Sequence, residues 1–117
     1  MNLKQGEGMR KTVNICGKVF NIKAFVEYQK AAVASREVIN RKTGTVTVFS
    51  FDKGEGLSEH TAPFDALVCV LDGKVLITIS GRPSMLKQGE FIVLPAGKPH
   101  ALKSITKFKM MLVMISS

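Results

Sequence analysis

From Ala31 onward the chain alternates short apolar runs with glycine, proline and aspartate breaks, the pattern of an antiparallel β-structure. The runs predict strands over 31–40, 45–51, 57–62, 66–71, 75–80, 84–86, 91–94, 100–104 and 108–115. Thr45 to Phe51 alternates polar and apolar residues as a half-buried strand does. The last run, Phe108-Lys109-Met110-Met111-Leu112-Val113-Met114-Ile115, is apolar at both parities, so alternation does not say which face it buries. Turns are expected at Lys42-Thr43-Gly44, Asp52-Lys53-Gly54, Gly81-Arg82-Pro83 and the corner Pro95-Ala96-Gly97-Lys98-Pro99. Asp72-Gly73 between two apolar runs reads as a type I′ hairpin.

Before Ala31 the pattern changes. Residues 1–18 are polar and broken by glycines, with one short edge strand expected near 12–16, and Ile22, Phe25 and Val26 are spaced for about one helical turn. The expected organisation is therefore an N-terminal extension over 1–30 that makes a dimer contact and a β-barrel over 31–117. Strands this numerous in so short a chain leave edges that must be closed, covered or paired with a second copy.

Composition narrows the classes. At 117 residues with 45% hydrophobic content, the chain can bury one core. No apolar stretch approaches the ~20 residues of a membrane span, and the first residues lack a signal-like apolar region. Cys16 and Cys69 have no zinc or redox spacing. The expectation is a cytoplasmic protein without a membrane partner. A net charge of +8 raises the question of nucleic acid, but the lysines are scattered at turns and strand ends without interleaved aromatics, so no nucleic-acid partner is expected.

Only His60 and His100 can supply imidazole chemistry, and each stands in a glycine-punctuated frame. The first frame has Gly54, five residues, His60, then Ala62, Ala66 and a closing Gly73. The second has Gly89, five residues, Pro95, Gly97, two residues and His100. Together, with a fifteen-residue spacer, they resemble the two motifs of the cupin superfamily, in particular its small single-domain bacterial members. The resemblance spans about 45–115 and implies a double-stranded β-helix, or jelly-roll, barrel in an all-β fold, forming a homodimer.

It also implies a place for a metal. Metal-binding cupins hold their ion with three histidines and one glutamate, and here the second histidine falls on Ala62, the glutamate on Ala66 and the final asparagine of the second motif on Ser104. His60 and His100 are the surviving ligand positions for a divalent ion such as zinc, iron, manganese or nickel, and two imidazoles make a weak site. Glu59 and Asp65 are the nearest carboxylates; strand alternation turns both away from the cavity unless a bulge intervenes. Strand parity turns Ala62 inward with His60, and the family register that the resemblance implies turns Ala66, Val68 and Val70 inward, with Cys69 on the opposite face, so that His60, Ala62, Ala66, Val68 and His100 are expected around one pocket.

Two functions follow from this reading. One is a barrel that binds a small organic molecule, with imidazoles at one end of an apolar pocket. The other is an enzyme, either a metal-dependent dioxygenase or isomerase or a metal-free catalyst using histidine as a base. Sequence leaves open whether the protein is an enzyme at all, because the fold hosts both.

Overall fold

The computed structural model describes residues 15–116. Among them nine strands occur: β1 (Val33–Arg41), β2 (Gly44–Phe51), β3 (Gly56–His60), β4 (Ala66–Asp72), β5 (Lys74–Ile79), β6 (Arg82–Lys87), β7 (Phe91–Leu94), β8 (His100–Ser104) and β9 (Phe108–Ile115). Every strand expected from Ala31 onward is present, with ends displaced by a residue or two. The order is β1-β2-β9-β4-β7 in one antiparallel sheet and β3-β8-β5-β6 in the other, the all-β architecture that the sequence implied. No helix among the described residues is long and apolar enough to cross a membrane.

The two sheets face each other across a core of Phe51, Val68, Val75, Ile77, Phe108 and Met110, each essentially without solvent contact. Phe51 and Phe108 pack with ring centroids 5.0 Å apart and their planes tilted by 30°. Val70 belongs to this core as well, and Cys69 is half-buried on the opposite face.

One turn departs from expectation. Asp72-Gly73 is not a hairpin: β4 pairs with β7 and β9, whereas β5 pairs with β6 and β8, so the chain crosses here from one sheet to the other. Gly73 alone takes positive φ (77°), and a Cβ there would press into the Lys107 carbonyl oxygen and lie 2.7 Å from Thr106 Oγ1. The apolar runs on both sides are genuine strands, but each is buried against a different neighbour. The two-residue turn with both φ values positive lies instead at Ser80-Gly81 (49° and 79°), joining Ile79 to its partner Arg82. Pro83 follows on β6, an edge strand, where a missing N–H costs no ladder bond.

The N-terminal segment covers part of the five-stranded sheet's outer face. Phe25 and Val26 pack on Val48, with Ile15, Ala34, Val38 and Leu71 around them. Residues 22–24 form a turn and no longer helix follows; the Asn21 side chain caps its start by accepting from the N–H groups of Lys23 and Ala24. Tyr28 donates to Asp72 at 2.7 Å, and burial first, then this carboxylate, raise its pKa. Lys109 donates to the Lys23 carbonyl with its ammonium 4.7 Å from the Tyr28 ring centre. The edge strand expected near 12–16 lies mostly outside the described residues, and Ile15 and Cys16 within them form no strand.

Candidate functional site

The two sequence frames meet at one rim because their loops are tied together. In the β3–β4 loop the Ala62 carbonyl accepts from the Gly97 N–H at 2.8 Å, and Asp65 Oδ1 accepts from the Ala96 N–H at 2.8 Å. The proline-rich corner is thus fastened to the first frame just before His100. At the far end of β8, Ser104 Oγ lies 2.6 Å from the Asp52 carbonyl and 2.7 Å from that of Glu55, holding the loop that leads into β3.

Within β3 a bulge decides which side chain enters the barrel. Leu57 lies opposite Leu102 and His60 opposite His100, so three steps on β3 match two on β8. Regular alternation from an inward Leu57 would bring Glu59 inward; the extra residue brings His60 instead and leaves Glu59 exposed. The sequence contains no signal for this bulge.

His60 and His100 then converge, with Nε2 atoms 3.2 Å apart and ring centroids 4.4 Å apart, edge to face. His100 is buried, at 5% exposure, while His60 is exposed at the mouth. His60 Nδ1 lies 2.8 Å from the Ser58 carbonyl, which can only accept, so Nδ1 carries the hydrogen and a neutral His60 has its lone pair on Nε2. A His100 that donates from Nε2 satisfies the 3.2 Å contact, while its buried Nδ1 makes no well-formed hydrogen bond. Burial holds the His100 pKa below its ordinary value, the neighbouring His60 lowers it further, and the Lys98 backbone opposes both.

The sign of that shift makes a prediction. Below its ordinary pKa of 6.5 the imidazole of the unfolded chain takes a proton that the folded ring resists. The contribution of His100 to stability is therefore whole above pH 6.5 and is lost as pH falls through the depressed folded value. Thermal melts between about pH 7.5 and pH 5 should show a steeper fall for the natural protein than for His100→Gln. Equal slopes would place the ring in water.

Beneath the pair lies a cavity of about 50 Å³. His60, Ala62, Ala66, Val68 and His100 all line it, so the structure brings together the five residues singled out in the sequence. Its remaining wall is Leu57, Leu94, Leu102, Met110, Leu112 and Met114. Leu102 was readable from parity, two residues beyond His100 on β8. The β9 residues were not, since that strand is apolar on both faces. At roughly 10–15 Å³ for one water, the space holds only a few water-sized groups, and anything larger needs Met110 and Met114 to repack.

Does the donor set fit a divalent metal? The Nε2 separation suits two imidazoles on one ion, since ~2.0–2.1 Å bonds at a tetrahedral angle give roughly 3.3 Å. The count fails. Ala62 and Ala66 offer no lone pair, Glu59 faces solvent and Asp65 is committed to the Ala96 N–H. Among the described residues no group of three His, Cys, Asp or Glu side chains could hold an ion. Among the described residues the cavity offers two nitrogen donors, one short of the three protein ligands a catalytic metal ordinarily takes.

Comparison with known proteins agrees with the geometry. Residues 47–116 match the family described as the cupin domain. A conserved protein of unknown function from Streptococcus pyogenes is 34% identical, with 94% of this chain and 98% of that one covered and a TM-score of 0.83. A cupin 2 conserved barrel domain protein from Leptotrichia buccalis is 42% identical over 82% of this chain, with a TM-score of 0.79, and the match spans 47% of that longer protein. A cupin superfamily protein from Desulfitobacterium hafniense is 25% identical, with 86% of this chain and 93% of that one covered and a TM-score of 0.82. No curated protein matches the chain.

Proposed function

The chain belongs to the cupin family, and from its two-imidazole cavity we propose that it binds a small organic molecule without a resident metal. The observation that carries this reading is the 3.2 Å His60–His100 contact at the rim of a cavity whose other walls are apolar. A carboxylate or phenolic group of the ligand would meet His60 at the mouth, where the side chain is exposed, and the apolar body would enter toward Leu57, Leu102 and the two methionines. A ligand that parts the His60–His100 contact would meet an N–H donor on His100 Nε2 and an acceptor on His60 Nε2, so the pair would serve a polar group of either kind.

A metal-dependent dioxygenase or isomerase needs at least one donor more than the cavity holds. The metal-free alternative has one observation in its favour: the Ser58 carbonyl fixes the hydrogen on His60 Nδ1 and so keeps the lone pair on Nε2, the atom a base would use. Binding must come first in either case.

Small aromatic and aliphatic carboxylic acids and phenols, tested by thermal shift and calorimetry with EDTA present, should include ligands that raise Tm. His60→Ala and His100→Ala should each weaken them by ~10- to 100-fold, the worth of one hydrogen bond involving a charged group. Stoichiometric metal in the purified protein, lost in both variants, would contradict the reading, as would ligands that bind only with metal added.

A further inference from the structure

Among the described residues the most exposed large apolar side chain is Val19, at 98%, and Phe20 (45%) and Ile22 (40%) stand close to it in the chain. Single exposed apolar residues are ordinary, whereas three within four positions form a patch. The fold holds them outward. The Lys18 N–H donates to the Ile15 carbonyl across a turn in which Gly17 takes a φ of 75°, and the Ala24 N–H donates to the Asn21 carbonyl in the next turn. Residues 18–21 are thus held as a tip between two closed turns. Lys109, itself buried, donates to the Lys23 carbonyl and ties the second turn to β9. Ile15, Phe20, Ile22, Phe25 and Val38 line a cleft of about 270 Å³ with Lys18, so the apolar surface continues from the tip into the body of the protein.

Charge accompanies this surface. Between Ile15 and Val26 the only charged side chains are Lys18 and Lys23, both exposed. The residues ahead of Ile15 carry Lys4, Arg10 and Lys11 against Glu7, so side chains of the first 26 residues hold +4, half of the chain's +8. We propose that this tip docks on an anionic lipid bilayer, with Val19, Phe20 and Ile22 entering the boundary between headgroups and acyl chains and the surrounding cations facing acidic headgroups. Composition excludes a membrane span, which is why no membrane partner was expected. Surface docking needs no span, only an exposed apolar tip among cations, and that tip is visible in the fold. The inference is independent of the histidine cavity.

Two other partners fit less well. A second copy meeting this tip would bring one +4 segment against another. Nucleic acid would need an open aromatic ring to stack on, but Phe20 is engaged edge to face with Phe25, ring centroids 5.4 Å apart, and Val19 and Ile22 offer a base no hydrogen bond.

The chain has no tryptophan, so Val19→Trp places a single reporter at the tip. With phosphatidylcholine vesicles carrying ~30% phosphatidylglycerol its emission should move to shorter wavelength, and with pure phosphatidylcholine it should not. In vesicle sedimentation the natural protein should bind the anionic vesicles, and Val19→Glu at least ~10-fold more weakly, since an inserted apolar group is replaced by a charge the lipid repels. Lys18→Gln and Lys23→Gln should each weaken binding about five-fold. Met85→Glu makes the same charge change at an exposed apolar position on β6, in the other sheet, and should bind within about two-fold of the natural protein. Position 19 is fully enough exposed that its variants should keep the natural circular dichroism spectrum. Binding to anionic vesicles no stronger than to neutral ones overturns the proposal. So does binding that Val19→Glu leaves intact or that Met85→Glu weakens equally, which would be adsorption of a cationic chain, and so does an unshifted Val19→Trp emission on vesicle-bound protein. A Val19→Glu variant that loses self-association or single-stranded DNA binding, in a protein that does not bind vesicles, would overturn it in favour of those partners.

Discussion

Gly73→Ala is expected to destabilise the protein by about 4 kcal/mol, lowering Tm by roughly 20 °C. Two penalties add at this position. Positive φ costs a residue with a Cβ ~1–2 kcal/mol, and the new methyl has nowhere to go because the Lys107 backbone occupies its place. Gly81→Ala isolates the first penalty. Its φ is 79°, close to the 77° of Gly73, but nothing lies within 4 Å of the added Cβ, so it should lose only about 1–2 kcal/mol. Equal losses in denaturant melts would mean that the sheet-to-sheet corner at Gly73 is not as close-packed as described.

The second large effect is a gain of metal affinity. Combining Ala62→His with Ala66→Glu should raise zinc affinity by at least ~10³-fold over the natural protein, measured by calorimetry, because four donors replace two around a point both imidazoles already face. Stability should move in two directions. Without metal, Ala66→Glu places a carboxylate at a buried position and should lower Tm; zinc should restore it. The cavity geometry makes both demands. If zinc binds no better to the double variant, Ala62 and Ala66 do not share a centre with the histidines.

Much of this site was legible before any coordinates, for physical reasons that differ residue by residue. Alternation along a strand made an inward His60 imply an inward Ala62, whereas the inward Ala66, Val68 and Val70 and the meeting of His100 with His60 were implied by the resemblance to the cupin motifs. Alternation failed where chemistry was uniform. β9 is apolar at both parities, so nothing local marks Met110, Leu112 and Met114 as the inward set. The bulge at Ser58-Glu59 likewise has no local signature, although it decides that an imidazole rather than a carboxylate turns toward His100. Asp72-Gly73 misled for a related reason. Positive φ at a glycine marks a reversal of direction, and only the pairing partners of β4 and β5 reveal that it leads into the other sheet.

The exposure of His60 gives the pair its polarity. His100 is held neutral from within, by burial and by its neighbour, while His60 presents its ring at the mouth with Nδ1 fixed on Ser58. A ligand at this mouth would therefore meet an imidazole of defined orientation backed by a second one, with the methyl groups of Ala62 and Ala66 beside them.

With only two histidines in the chain, long-range ¹H–¹⁵N NMR of the imidazoles is the most direct measurement of this arrangement. For EDTA-treated protein above pH 7, the account predicts hydrogen on Nδ1 of His60 and on Nε2 of His100, a ring-to-ring Overhauser effect, and no stoichiometric uptake of micromolar zinc. Two independent, freely exchanging rings, or a zinc ion taken up tightly between them, would contradict it.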